Sequence, residues 1–320
     1  MQRIIKISKK NKYLINYSNI ETKLLPMVND VKVYKNIKNG MPLCFPKNLS
    51  TFNYHKEKYF KLNKKYVATN FFKTNKINYL GVRLFFEYGN TFTFSVKPKK
   101  QYLNLVKKIN SHNLKIKKKI FQLNNKHKKV CAFQTRNIPH AGHEAIINHL
   151  LKSFNHVVIN PVIGPKKKGD IKLETLSLIY KKLIKEKFKK KVSFLPIYFN
   201  MFYAGPKEAA HHALIRQNLG FKYFVVGRDH AGAENLYKPN DAINYLKKIK
   251  RILKIKVVTL KGAFYCAKCK KTLIKGECKH KNLINISGTA FRKHLKNKTI
   301  FNYADENLQK YIHKNGIRAY

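Results

Sequence analysis

Two patterns of apolar spacing divide the chain. From about residue 126 onward, short apolar runs alternate with longer stretches whose apolar residues recur every three or four positions. The runs VCAF (130–133), HVVINPVI (156–163), VSFLPIYF (192–199), YFVVG (223–227) and IKVVTL (255–260) have the length and β-branched content of strands buried on both faces. Between them EAIINHLLKSF, ETLSLIYKKLIKEKF (174–188), PKEAAHHALIRQNLG and DAINYLKKIKRIL carry helical spacing, with Pro206 suited to begin the third helix and Gly220 to end it. This alternation predicts an α/β fold: a Rossmann-like parallel sheet with helices on both faces. Ligands of such sheets sit beyond the carboxyl ends of the strands.

Residues 1–125 read differently. Aromatic and apolar runs such as VKVYKNI (31–37), YLGVRLFFEY (79–88) and TFTFSV (91–96) are broken by Asn, Gly and Pro, which predicts a mostly β domain. The Lys-rich NLKIKKKIFQLNNKHKK (113–129) reads as the link to the parallel-sheet domain. Three parts result: a β domain over 1–125, the parallel-sheet domain over 126–260, and a small C-terminal lobe over 261–320.

Composition changes this picture little. At 320 residues the chain is long enough for two domains. No apolar run approaches a membrane span and the first residues have no secretory h-region, so a cytoplasmic protein without a membrane partner is expected. The formal charge of +53 invites a nucleic-acid reading. The lysines are spread along the chain and come with abundant Asn, Ile, Tyr and Phe, the residues of A/T-rich codons. A genome-wide bias accounts for both, and no specific nucleic-acid partner is expected. Five cysteines, an odd number, argue against a disulfide framework.

The loops carry the chemistry. In QTRNIPHAGHE (134–144), His140 and His143 share one face of a helix's first turn, where free N–H groups and the dipole favour a phosphate, and Gly142 leaves room for one. Arg136 offers a planar fork for an oxyanion, and Gln134 and Asn137 add neutral donors. GRDHAG (227–232) supplies Arg228 and His230 at another strand end. ISGTAFRKHL (286–295) supplies Ser287, Gly288 and Thr289 as a helix start, with Arg292 one turn on. Together they suit a ligand with several anionic groups. No GxxxxGK[ST] loop is present, so this is not a P-loop enzyme. In FYCAKCKKTLIKGECKH (264–280), the spacing Cys266-x2-Cys269-x8-Cys278-x-His280 reads as a structural zinc (Zn²⁺) knuckle, with His280 or His294 as fourth ligand, or as three free thiols. Cys44 and Cys131 read as core residues, and His211 and His212 as packing or surface residues.

QTRNIPHAGHE, NPVIGPKKKGD (160–170), MFYAGPKEA (201–209), GRDHAG and ISGTAFR stand in the order found in ATP sulfurylase (sulfate adenylyltransferase), which the chain resembles over about 134–292. The HxxH turn and SGTxxR also resemble the wider nucleotidylyltransferase superfamily. A member with another acceptor is one alternative. A basic RNA-binding protein with vestigial motifs is the other, against which the complete set Arg136, His140, His143, Arg228 and Arg292 counts. The resemblance implies a PUA-like N-terminal β domain and a homodimer. It also implies direct in-line attack of sulfate on the α-phosphorus of ATP, giving adenosine 5′-phosphosulfate and pyrophosphate, or the reverse. Gln134, Arg136 and the backbone of Ala231 would hold sulfate, and Thr135, Arg136 and Asn137 are the family's catalytic residues. His140 and His143 would stabilise charge on the phosphates. Gly227, Arg228, Asp229 and His230 would line the nucleotide and Ala263 would lie near the adenine. Gln134, Asn137, Ser287, Thr289 and Arg292 complete the ATP site. Mg²⁺ would come with ATP, and some bacterial members carry zinc near the cysteines. Phe202 and Lys207 stand where the family often has Arg.

Overall fold

The structure, a computed structural model, describes residues 100–163, 171–198, 203–227, 236–286 and 288–315. It also describes 60–61, 65, 68–69, 72–87, 91–92, 201 and 230. Most of the expected PUA-like domain, Cys44 included, lies outside these residues. Two short strands, β1 (Phe60–Lys61) and β2 (Thr91–Phe92), pair antiparallel. Between them in sequence, helix α1 spans Leu80–Glu87, where the aromatic content of 79–88 reads as strand. Helix α2 (Lys100–Lys126) absorbs most of the Lys-rich stretch expected to be a link. Its buried Ile116 and Ile120 are four residues apart on one face, while the lysines between them are exposed to water. Asn113 of α2 donates to the Tyr198 carbonyl and accepts from the Tyr198 N–H, both at 3.0 Å, so the helix is fastened to the edge of the sheet.

All five apolar runs after residue 126 form strands: β3 (Val130–Phe133), β4 (His156–Ile159), β5 (Val192–Phe194), β6 (Tyr223–Val226) and β7 (Lys256–Thr259). They build one parallel sheet in the order β5-β4-β3-β6-β7. The strand residues alternate between two apolar clusters. Val130, Ala132, Val158, Phe224 and Val226 belong to one, and Cys131, Phe133, Val157, Ile159 and Val225 to the other. Helices α5 (Pro206–Leu219) and α6 (Asp241–Lys248) feed the first cluster; α3 (Ala141–Leu151) and α4 (Leu173–Leu183) feed the second. Both faces are therefore covered, which is why the strands read as continuous apolar runs.

The C-terminal segment begins with an antiparallel sheet of β8 (Ala263–Cys266), β9 (Lys271–Ile274) and β10 (Leu283–Asn285), in the order β10-β8-β9. Helices α7 (Gly288–Lys296) and α8 (Glu306–Lys314) follow. Phe291 and Leu295 of α7 and Leu308 and Ile312 of α8 lie in the same apolar cluster as Val157 and Ile159 of β4. This shared core holds the start of α7 beside the parallel sheet. No helix among the described residues is long and apolar enough to cross a membrane.

One glycine is required by both space and dihedral. Gly205, just before α5, has φ +50°, and a Cβ there would lie 2.4 Å from the Tyr237 ring. That ring cannot easily retreat, because its hydroxyl donates to the Phe72 carbonyl at 2.8 Å. Gly205→Ala is expected to lower stability by about 2–4 kcal/mol, combining a strained φ with an overpacked contact. A urea midpoint unchanged from wild type would contradict this.

Candidate active site

The sheet order places a crevice. The chain leaves β3 toward β4 on one side and returns to β6 on the other, so the loops after β3 and β6 diverge at the carboxyl end of the sheet. The loop after β3 is 134–140, and the one after β6 starts at Gly227.

The first loop is held by its own side chains. His140 is the N-cap of α3, and its Nδ1 accepts the Gly142 N–H at 3.1 Å. The third helical residue returns the favour: His143 Nδ1 accepts the His140 N–H at 3.3 Å. With that nitrogen accepting, neutral His143 carries its proton on Nε2 and donates to Thr135 Oγ1 at 3.0 Å. Thr135 Oγ1 also accepts the Asn137 N–H at 3.3 Å. His143 is thus turned inward as a brace, while His140 keeps its Nε2–H for the crevice. The two imidazoles lie tilted at 52° with their centroids 4.1 Å apart. The room beside Gly142 belongs to the His140 ring, only 2.9 Å from where a Cβ would stand, and is not the phosphate space expected from sequence. Ala263 of β8 lies against the same glycine.

Helix α7 closes the other side. Arg292 donates to Asn137 Oδ1 at 3.3 Å and to Thr289 Oγ1 at 2.9 Å, tying the QTRN loop to the SGT turn. Tyr180 of α4 donates to the Asn137 carbonyl at 3.3 Å. Arg136 lies with its guanidinium carbon 5.4 Å from the Tyr203 ring centroid. Tyr203 has φ +58°, rare for so large a side chain, and Tyr79 donates to its carbonyl. The side chain of Gln134 points Oε1 into a buried position with no hydrogen-bond partner among the described residues.

The second loop arrives through α5. This helix is buried almost throughout, including Glu208, His211, His212 and Arg216, so His211 and His212 are interior residues. His212 Nδ1 lies 2.9 Å from His230 Nε2. Arg216 donates to the Asn160 carbonyl at 2.8 Å and to the His212 carbonyl at 3.2 Å. Burial first, then the charges of His212, Arg216 and Arg136, holds His230 well below the usual histidine range. Arg136 of the first loop is among the charges that bear on His230. Of the other expected residues, Gly227 follows directly on β6, and Lys207 lies half-buried in the first turn of α5. Arg228, Asp229, Ala231, Ser287, Phe202 and the segment 164–170 lie outside the described residues. Tyr203 and Glu208 stand within MFYAGPKEA without a role legible from sequence, and Tyr180 and Arg216 emerge only from the fold.

Burial also lowers His140 and His156 to about 4 each, with Arg292 helping at His140 and His127 at His156, and it holds His143, His211 and His212 well below the usual range. All are neutral at pH 7. Their folded-state pKa values lie below the unfolded value near 6.5, so unfolding takes up protons as the pH falls. The stability they permit is complete above about pH 6.5 and is lost progressively toward pH 4. The thermal midpoint is expected to fall steeply between pH 6.5 and 5; a flat profile there would contradict neutral burial.

A second cluster lies in the small antiparallel sheet. The ligand atoms of Cys266, Cys269, Cys278 and His280 all fall within 4.8 Å of one another. His280 Nδ1 lies 3.3 Å from both Cys266 Sγ and Cys269 Sγ. Zinc bonds of about 2.3 Å to sulfur and 2.0–2.1 Å to nitrogen require edges of this size, so the set fits a tetrahedral ion. His294 instead pairs with Thr299 Oγ1 at 2.9 Å. Glu277, beside Cys278, binds His149 at 2.8 Å and Lys152 at 2.7 Å at the far end of α3.

The sequence model of the ATP-sulfurylase family matches residues 112–301. The chain is 35% identical over 276 residues to the sulfate adenylyltransferase of Ignicoccus hospitalis, covering 84% of this chain and 72% of that one. It is 34% identical over 273 residues to that of Pyrococcus abyssi, covering 84% and 71%. It is 33% identical over 275 residues to that of Thermococcus onnurineus, again covering 84% and 71%.

Proposed function

The chain belongs to the ATP-sulfurylase family and is an enzyme with sulfate adenylyltransferase activity, and from that premise we propose how its own residues perform the reaction. Sulfate is already a dianion, so it needs no general base; it must be held in line with the α-phosphorus against the repulsion between two anions. Gln134 and Arg136 hold sulfate, with the backbone of Ala231. Arg136 is steadied by the Tyr203 ring, which fixes the direction of its fork.

His140 donates from Nε2 to the triphosphate, and Thr289 and Arg292 approach it from α7. His143 and Thr135 act by holding His140 and Asn137 in place. Gly227, Arg228, Asp229 and His230 line the nucleoside part, with Ala263 toward the adenine and Ser287 at the α7 turn. Mg²⁺ enters as part of the MgATP substrate and neutralises the charge leaving on pyrophosphate. Cys266, Cys269, Cys278 and His280 would hold a structural zinc, which would tie the end of β8 and the turn after it to the segment between β9 and β10; the cysteines and His280 take no part in the reaction. The assembly is a homodimer in the cytoplasm.

The single observation that carries this reading is Arg292 bridging Asn137 and Thr289, which joins two distant motifs in one crevice. The test is sulfate-dependent pyrophosphate release from MgATP, together with ATP formation from adenosine 5′-phosphosulfate and pyrophosphate. Activity with another oxyanion acceptor but not with sulfate would favour a different nucleotidyl transfer.

A further inference from the structure

Helix α5 carries polar side chains that lead, with His230, in a line from the protein interior to the crevice. Glu208 is fully buried, and its Oε2 accepts the Ala204 N–H at 2.9 Å. Its other oxygen, Oε1, lies 3.4 Å from His212 Nε2. The opposite nitrogen of that ring, Nδ1, pairs with His230 Nε2 at 2.9 Å. Glu208 and His212 have no exposed side-chain surface, and the line ends at His230, which is only partly buried.

A neutral imidazole carries one proton and one lone pair, so each link constrains the next. A carboxylate beside His212 Nε2 draws the proton to that nitrogen. His212 Nδ1 is then bare and accepts, and His230 Nε2 must donate to it. His230 Nδ1 is left as a lone pair. The same pattern of a carboxylate orienting a histidine through its far nitrogen fixes tautomers in many sites. We propose that Glu208 and His212 are positioning residues that hold His230 in its Nε2–H tautomer, so that it presents a hydrogen-bond acceptor to the nucleotide. Its partner is then a donor, an amino group or ribose hydroxyl of the nucleoside, and not a phosphate oxygen. Phosphate recognition is left to His140, whose Nδ1 is committed to Gly142 and whose Nε2–H donates. The two histidines are set to opposite polarity by their neighbours.

This inference rests on the crevice being the nucleotide site. The test uses the full chain labelled with ¹⁵N-histidine, whose ring shifts separate protonated from bare nitrogens, with His230→Gln to assign the signals. In wild type at pH 7–8, His230 is expected with a protonated Nε2 and a bare Nδ1 whose shift moves on adding MgATP. Glu208→Gln, which can donate as well as accept, is expected to give a mixture of tautomers. Its KM for MgATP should rise about fivefold, the loss of one neutral hydrogen bond, while the KM for sulfate stays within error. A proton found on Nδ1 of wild-type His230 overturns the inference with no variant needed. So does a Glu208→Gln protein with unchanged shifts and unchanged KM for MgATP. MgATP that moves the His140 signals while His230 carries the Nδ1 proton sinks the relay alone; MgATP that moves neither sinks the nucleotide reading with it.

Discussion

Arg136→Ala is expected to cut sulfate-dependent pyrophosphate release about a thousandfold in kcat/KM for sulfate. Removing one preorganised donor from a site of charge transfer costs about two to three orders of magnitude, and Arg136 supplies both charge and a fixed fork. The Tyr203 ring, 5.4 Å away, would lose a partner but keep its hydrogen-bonded backbone, so the fold should persist and the thermal midpoint should move little. Arg136→Lys separates charge from shape. It keeps the positive charge, loses the two-pronged geometry and should recover only part of the rate. The KM for MgATP should change far less than that for sulfate. A thousandfold loss spread equally over both substrates would place Arg136 on the triphosphate, and an unchanged kcat/KM would remove it from the site.

Loss of metal from the knuckle should have the second largest effect, on stability more than on chemistry. The purified chain is expected to carry one zinc. Stripping it with a strong chelator should lower the thermal midpoint by roughly 10 °C or more, since structural zinc sites contribute apparent binding energies of about 10 kcal/mol upward in small domains. The consequence reaches the crevice by a traceable route. Glu277 binds His149 of α3 and Lys152 directly after it, and Ala263 packs against Gly142 at the other end of that helix. Cys269→Ser should mimic chelation, and adding zinc to the stripped wild type, but not to the variant, should restore the midpoint. A metal-free chain with an unshifted midpoint would leave three thiols and a histidine with no structural duty.

The sequence reading succeeds where burial is two-sided and fails where polar residues are interior. Five strands are legible because a strand covered on both faces has no polar alternation to confuse with a helix. The ends of α5 are legible because Pro206 and Gly220 restrict the backbone in known ways. The interior of α5 is not: Glu208, His212 and Arg216 stand among alanines in a helix without an apolar stripe, and only the fold reveals that all three are buried. Helix α2 is hidden by its charge, since its lysines mask the spacing of Ile116 and Ile120. Arg292 joins Asn137 and Thr289 of two separate motifs, but the division of labour within a motif is not legible from spacing. Spacing alone puts His140 and His143 on one face as equal donors; the hydrogen bonds make one a brace and the other a donor.

The position of β3 at the centre of its sheet sets a schedule for the growing chain. Its first neighbour, β4, comes closely enough behind it to pair soon after synthesis. Its second, β6, begins at Tyr223, about ninety residues after Cys131. At translation speeds of about 5–20 residues per second, the free edge of β3 waits roughly 5–20 seconds for that partner. During the wait an apolar strand with unpaired backbone is open to other nascent chains. The crevice between β3 and β6 cannot exist before the wait ends, so it forms late in synthesis. A ribosome-associated chaperone holding this edge would therefore guard the strand that later borders the crevice.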